Sequence, residues 1–339
     1  MKKIILIIAL FFIFNINVCA SYVVFDQDSN RVLSGENIHE KRLIASITKV
    51  MTAYVVINNA NLDDEVIVGD EIDLSHGSSI YLKKGEKIKV IDLLYGMMLR
   101  SGNDAATVLA VHTFGSLENF IYQMNNEVKK MGLNDTVFQN PTGLDDDGSK
   151  NISSAYDMAY ITSISMKNKT FKKIFSTKKY SVKTNMNMHV WYNKNKALFM
   201  NKYINGGKTG YTKKAHRTLI TTSSKDNINL VVVSLDMGDD FNFHVKSHKN
   251  IFNNYNSYLI LNKSNLGIKN SYYKNAKFYI DKNYRLTLNK KDLNKLSIVY
   301  ELYKIKKVKN NDIVGKVKVL SNNEIIYETP LYILINKGL

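Results

Sequence analysis

The sequence predicts an α+β protein: an antiparallel sheet flanked by helices, followed by a small β-rich domain. Three observations carry that expectation. Ile44 to Asn59 is apolar and continuous enough for a buried helix, and similar stretches recur through the first half. Thr218 to Thr222 and Ile228 to Ser234 are apolar runs separated by Ser-Ser-Lys-Asp-Asn, the arrangement of an antiparallel hairpin. Beyond residue 269 only short Tyr/Ile/Val segments remain.

The elements follow in order. Met1, Lys2 and Lys3 precede an apolar run from Ile4 to Phe14, and Val18-Cys19-Ala20 supplies the small residues of a cleavage site. Residues 1–20 therefore read as a signal peptide, too short for a full membrane span. Ser21 to Phe25 and Arg31 to Leu33 flank a polar turn and form a hairpin. The buried helix at Ile44 follows, then short strands at Val66 to Val68 and Ile80 to Leu82. Helices are expected at Val90 to Leu99, Asp104 to His112, Leu117 to Met131 with Gly132 as its cap, and Ala155 to Lys167. Tyr180 to Tyr203 shows no clean period and reads as irregular strand and loop. After the hairpin, a helix at Phe243 to Leu259 completes a first domain of residues 21–262. Asn262 to Lys269 is polar and contains glycine, a boundary. Lys277 to Ile280, Leu296 to Tyr303, Ile313 to Leu320 and Ile325 to Ile335 then build a small all-β domain of residues 270–336.

Forty-seven basic residues against 30 acidic ones give a formal charge of +17. The excess is lysine interspersed with asparagine, with no zinc-finger spacing, RNP-like motif or Arg-rich arm, so no nucleic acid is expected as a partner. Such a surface suits an anionic wall or membrane surface. The one cysteine, Cys19, falls inside the leader, which excludes disulfides, thiolate catalysis and cysteine metal sites from the mature chain. Of the seven histidines, His189, His216, His244 and His248 lie close in sequence, yet no pair has a metal spacing. No metal and no cofactor are expected.

Three short motifs carry the chemistry. Ser46-Ile47-Thr48-Lys49 is an SxxK at the start of the buried helix, and its i, i+3 spacing puts the lysine amine beside the serine hydroxyl. A serine needs a base at neutral pH, and a lysine in a dry pocket has its pKa lowered enough to act as one. Ser101-Gly102-Asn103 falls between two helices, and Lys208-Thr209-Gly210 just before the strong strands. Each motif is weak alone. In this order they form the combination associated with serine penicillin-binding enzymes.

The stretch from about Ser21 to Tyr255 resembles the low-molecular-mass penicillin-binding proteins that are serine D-alanyl-D-alanine carboxypeptidases, peptidase family S11. Tyr22 to Asp26 looks like that family's opening strand, and Met97 to Ala106 like its SGNDAA segment. Met124-Asn125, Gly132-Leu133 and Phe138 to Leu144 look like its MN…LG…F-x-NP-x-GL stretch. Gly207 to Thr212 looks like its G-x-KTG-[FHY]-T segment, with the spacing before the lysine one residue short if Gly207 is the match and intact if Gly206 is. The resemblance implies a serine D,D-peptidase/β-lactamase-like catalytic domain with a β-rich second domain. With the leader it implies an exported protein of the periplasm or cell envelope, and the basic surface suits a peripheral place on the outer face of the cytoplasmic membrane. The implied substrate is a peptidoglycan stem peptide ending in D-Ala-D-Ala, with β-lactams as covalent inhibitors.

The same resemblance assigns roles. Ser46 is the acylated nucleophile and Lys49 its base. Ser101 relays a proton, Asn103 holds Lys49 and the substrate amide, and Lys208 biases Lys49 toward neutrality. Thr209 binds the terminal carboxylate, with Gly210 and Tyr211 beside it in the substrate site, and the backbone amides of Ser46 and Tyr211 form an oxyanion hole. Asn195 resembles a family asparagine bordering the site; Asp104 and His112 read as helix-terminus and packing residues.

Some positions depart from the family. His216 stands where a glycine is usual and is expected at the pocket rim, and Asn151 stands for a histidine. The arginine that relatives offer near the hairpin exit is missing. Lys246 is its nearest match by spacing and His244 the second, so Lys246 is the expected carboxylate ligand. Two readings remain beside carboxypeptidase: a D,D-endopeptidase acting on cross-links, and a non-catalytic wall-binding protein on the same fold. A class A β-lactamase needs a glutamate between the second and third motifs, and none occurs from Val128 to Lys208.

Overall fold

The computed structural model describes residues 20–145 and 148–335. Residues 1–19 of the expected leader, Cys19 among them, and Asp146 and Asp147 of the acidic loop lie outside them. In chain order, strands β1 (Ser21–Asp26), β2 (Arg31–Glu36) and β3 (Arg42–Leu43) precede a single 3₁₀ turn, Ala45–Thr48. Helix α1 (Lys49–Asn59) continues from that turn. Strands β4 (Glu65–Ile67) and β5 (Lys87–Lys89) pair around a second 3₁₀ turn at Asp70–Leu74. Helices α2 (Val90–Arg100), α3 (Asn103–Phe114) and α4 (Leu117–Lys130) follow, then strand β6 (Ile152–Ser153), α5 (Ala155–Ser165) and α6 (Lys169–Ser176). Strands β7 (Lys179–Lys183) and β8 (Met188–Tyr192) form a hairpin before the short α7 (Ala197–Met200). Strands β9 (Ile204–Thr212), β10 (His216–Lys225) and β11 (Ile228–Leu235) lead into α8 (Asp240–Asn254). Strands β12 (Asn256–Leu261), β13 (Ala276–Tyr279) and β14 (Tyr284–Leu288), α9 (Lys290–Leu293), and β15 (Leu296–Leu302), β16 (Ile313–Ser321) and β17 (Glu324–Ile335) complete the order.

The main sheet is antiparallel, in the order β2-β1-β11-β10-β9. The central strands β1 and β11 are largely apolar because both faces are covered, and the period of two sorts residues between them. Val23, Phe25, Val231, Val233 and Leu235 join the core built by α1, α2, α3 and α5. Val24, Leu230 and Val232 meet Ile251 of α8 on the other side. The third motif lies on β9, at the sheet's edge. The second occupies the α2–α3 junction, where Ser101 takes a left-handed conformation (φ 67°). A non-glycine residue held there stores roughly 1–3 kcal/mol and is kept by its surroundings.

Several expected elements differ. Ile80 to Leu82 is not a strand: the backbone N–H groups of Ile80 and Leu82 donate to the Asp104 carboxylate at 3.1 and 3.2 Å. A side chain thus takes the bonds a neighbouring strand would offer. Residues 180–203 hold a regular hairpin and a short helix. Helix α6 was missed although Phe171, Ile174 and Phe175 are buried at i, i+3, i+4 spacing and Asn168 caps its first turn. The last helix of the first domain ends at Asn254. Asn256–Leu261 is strand β12, paired with β14, and Leu261 and Leu266 belong to the second core. The expected boundary at 262–269 therefore falls inside the β-rich packing unit, whose four-stranded sheet runs β13-β17-β16-β15.

Candidate active site

Ser46 lies in the 3₁₀ turn and Lys49 is the first residue of α1, so the chain passes from 3₁₀ to α-helical pitch between the two. The Lys49 amine is buried and lies 3.2 Å from Ser46 Oγ, 2.7 Å from Asn103 Oδ1 and 2.5 Å from the Thr142 carbonyl. The last two atoms only accept. The Asn103 amide nitrogen donates to the His76 carbonyl at 2.5 Å, which fixes the amide with its oxygen toward Lys49. A neutral amine has two N–H groups and one lone pair. The ammonium form donates to all three oxygens; in the neutral form Asn103 and Thr142 would take the two hydrogens and the lone pair would turn to the Ser46 hydroxyl.

Electrostatics favour that neutral form. Burial holds Lys49 well below the ordinary lysine value, helped by the charges of Lys208 and Lys194. Lys208 is buried as well and is pushed down to about 7, by burial first and Lys194 second. Its amine donates to Ser101 Oγ at 2.9 Å and to the Thr209 carbonyl at 2.6 Å. The three motifs thus meet through two lysine amines, one on Ser46 and one on Ser101.

The backbone around the serine is tightly packed. A methyl group on Gly210 would stand 2.9 Å from the Ser46 nitrogen and 2.3 Å from Thr218 Oγ1, so only glycine lets β9 approach the turn this closely. Gly143 (φ 87°) would place a Cβ 2.0 Å from the Ala45 carbonyl oxygen. The Asn140-Pro141-Thr142-Gly143 loop therefore presses against the serine turn. Asn140 Oδ1 accepts from Thr142 N and Gly143 N, and Asn151 ties the loop to Thr48 Oγ1 at 3.0 Å. These bonds carry the Thr142 carbonyl to Lys49. A backbone carbonyl has no signature in sequence, and only the turn-like Asn-Pro-Thr-Gly pointed to it.

The cleft over Ser46 has a volume of about 360 Å³. Ser101, Thr209, Gly210 and Tyr211 line it as expected, together with Ser78, Lys194, Lys196, Arg217, Asp240 and Phe241, which sequence reasoning did not single out. The loop carrying Ser78 is pinned by Asn103 N to the Ser78 carbonyl at 2.7 Å, and by Asp104 to Ser79 Oγ. Asp104 thus acts on this loop, beyond any influence at its own helix terminus.

Four of the expected residues lie outside the cleft lining. Lys246 is exposed on α8 and does not line the cleft. Its helical position turns it outward, which spacing alone does not reveal. His244 is fully buried, bonded to Thr221 Oγ1 and Ser234 Oγ at 2.7 and 2.9 Å. His216 is exposed and bonded to Asp236 at 2.7 Å, outside the cleft lining. Asn195 lies behind β9, where a Cβ on Gly207 would meet its amide at 2.1 Å; it packs the strand and does not line the cleft. His112 is partly buried near the end of α3, 3.8 Å from Asp64.

Residues 16–239 match the family model described as D-alanyl-D-alanine carboxypeptidase, and residues 257–336 match that of the penicillin-binding protein 5 C-terminal domain. The D-alanyl-D-alanine carboxypeptidase DacF of Bacillus subtilis is 33% identical over 219 residues, 63% of this chain and 56% of its own length. DacA of Haemophilus influenzae is 34% identical over 232 residues, 64% of this chain and 56% of its own. The chain thus spans little more than half the length of these curated relatives. Penicillin-binding protein 5 from Haemophilus influenzae superimposes with a TM-score of 0.76 at 28% identity, over 93% of this chain and 96% of that one. A D-alanyl-D-alanine carboxypeptidase from Mycobacterium tuberculosis gives 0.65 at 26% identity, over 69% and 90%. The order of the motifs, the edge strand that bears the third and the extent of the first match agree: this chain belongs to the D-alanyl-D-alanine carboxypeptidase family, Peptidase_S11.

Proposed function

We propose that the protein is a serine D,D-carboxypeptidase that removes the terminal D-alanine from peptidoglycan stem pentapeptides through an ester on Ser46. The observation that carries this reading is the buried Lys49 amine 3.2 Å from Ser46 Oγ, held by Asn103 and Thr142 and kept toward its neutral form by burial. Lys49 takes the hydroxyl proton as Ser46 Oγ bonds to the penultimate D-alanine carbonyl carbon. The oxyanion is held by the backbone N–H groups of Ser46 and Tyr211, an arrangement worth roughly 10²–10³ in rate per donor. Collapse breaks the peptide C–N bond, and the leaving amine receives a proton through Ser101, which Lys208 holds in place. Water then attacks the ester, Lys49 accepts a proton from it, and the shortened peptide leaves with Ser46 restored. Thr209 binds the substrate's terminal carboxylate. A β-lactam would acylate the same serine.

The leader motif and the family setting support export to the cell envelope. The lysine-rich surface supports a peripheral association with an anionic wall or membrane; among the described residues no helix is long and apolar enough to cross a membrane. A catalytic domain ending near Tyr255 and a β-rich domain from Asn256 onward fit the strand pairing better than a boundary at 262.

Incubation of the protein with a pentapeptide ending in D-Ala-D-Ala is expected to release one D-alanine, and Ser46→Ala should abolish the release. A penicillin adduct on Ser46 without release would instead favour a cross-linked substrate and endopeptidase action. Neither release nor adduct would favour the non-catalytic wall-binding reading.

A further inference from the structure

The hairpin exit, where relatives are expected to offer an arginine, presents Asp240 and Phe241 to the cleft, and the cation comes from another element. Arg217 stands on β10 directly opposite Tyr211 of β9. Residues opposed across a ladder project from the same face, as do residues two apart on one strand. Arg217, Tyr211 and Thr209 therefore share a face, and all three line the cleft.

The guanidinium is held on two sides. Its Nη2 donates to Asp240 Oδ1 at 2.6 Å, and its carbon lies 5.1 Å from the centre of the Phe241 ring. The Asp240 oxygen also accepts from the Phe241 backbone N–H at 2.7 Å, which fixes the carboxylate in turn. The pair is not a closed structural salt bridge. Asp240 is 3% exposed whereas the Arg217 side chain is 41% exposed, and Arg217 Nε is buried without a partner. Five N–H donors on a planar fork leave capacity for a second carboxylate. The other cation next to Thr209, Lys208, already donates to Ser101 and to the Thr209 carbonyl.

We propose that Arg217, aimed by Asp240 and backed by Phe241, is the residue that binds the substrate's terminal carboxylate together with Thr209. This rests on the carboxypeptidase reading. Arg217 is the specificity-determining residue and Asp240 its positioning residue.

The test compares two peptides ending in D-Ala-D-Ala, one with a free terminal carboxylate and one with a terminal amide. R217A should lower the acid-to-amide ratio of kcat/KM by roughly 10–100-fold, mainly through KM for the acid, since a hydrogen bond to a charged group is lost. R217A leaves Asp240 buried without its cation; where that variant does not fold, R217Q keeps a donor for Asp240 and removes the charge. D240N keeps the charge of Arg217 but frees its direction, and should raise KM for the acid peptide without raising that for the amide. If the amide is too poor to follow in wild type, KM for the acid peptide decides. An unchanged ratio, or unchanged KM, in a folded Arg217 variant overturns the proposal while the carboxypeptidase reading stands. A wild-type protein that releases D-alanine from neither peptide overturns both.

Discussion

Replacing Asn103 by aspartate keeps the side chain's shape but puts a negative charge where a neutral amide oxygen lies 2.7 Å from the Lys49 amine. An adjacent anion favours the charged ammonium, so the Lys49 pKa must rise, opposing the burial and the Lys208 charge that lower it. Each unit of rise leaves about tenfold less neutral amine at a pH below that value. N103D should therefore slow acylation of Ser46 by a fluorescent penicillin at pH 7 by about a hundredfold or more, and move the rising limb of the rate profile to higher pH. A profile that drops in height without moving would mean that Asn103 serves only to position groups. At this scale the sequence showed what residue type can show. Ser46, Lys49, Ser101, Asn103 and Lys208 were legible because chemistry and spacing coincide. The Thr142 carbonyl was hidden because every residue has one, and Arg217 because its place in the cleft depends on strand register.

Helix α8 meets the sheet through two buried histidines. Thr221 Oγ1 lies 2.7 Å from both His244 Nδ1 and His248 Nε2, and the remaining ring nitrogens meet Ser234 Oγ at 2.9 Å and Ser223 Oγ at 2.7 Å. The four hydroxyl contacts satisfy neutral rings and supply no carboxylate to balance a charged one. Burial pushes His248 down to about 3 and His244 well below the ordinary value, His248 adding to the latter shift. Below about pH 6.5 the unfolded chain binds protons that the folded chain does not, so stability falls as pH drops from there toward the folded values. The slope is about 1.4 kcal/mol per pH unit for each histidine. Urea midpoints measured from pH 7 to pH 5 should fall steeply, and His248→Gln should remove about half of that slope whatever it does to stability at pH 7. An unaltered slope would place the acid sensitivity elsewhere. Elements were legible where one physical cue dominated: the β10–β11 hairpin, α2 and α4 came from apolar pattern and caps. Ile80 to Leu82 misled because its alternation is strand-like while its backbone bonds go to Asp104, and β12 misled because Tyr255, Tyr258 and Leu259 continue the helical spacing of Ile251 and Phe252.

The two largest hydrophobic cores share no residue: one lies between the main sheet and helices α1 to α6, the other within β12 to β17. Contact between the two units is polar and incompletely satisfied. Asp26 of β1 faces Thr287 of β14, and both Arg31 Nη1 and Tyr284 Oη are buried without a partner. A buried unpaired polar group costs about 1–3 kcal/mol, so opening this seam to water offsets much of the contact it breaks. The first unit is also large enough to bury a core of its own. Ser46, Lys49 and Lys208 take all their hydrogen-bond partners from it. A protein truncated after Tyr255 is accordingly expected to fold and to acquire penicillin on Ser46 at a rate within about threefold of the full chain, as for sites that do not couple. Its far-ultraviolet circular dichroism should lose strand signal and keep the helical signal. A truncated chain that folds but no longer acylates would show that the β-rich unit reaches the cleft through the β1–β11–β10–β9 sheet, because β1 is the strand it touches and β9 the strand that carries Lys208.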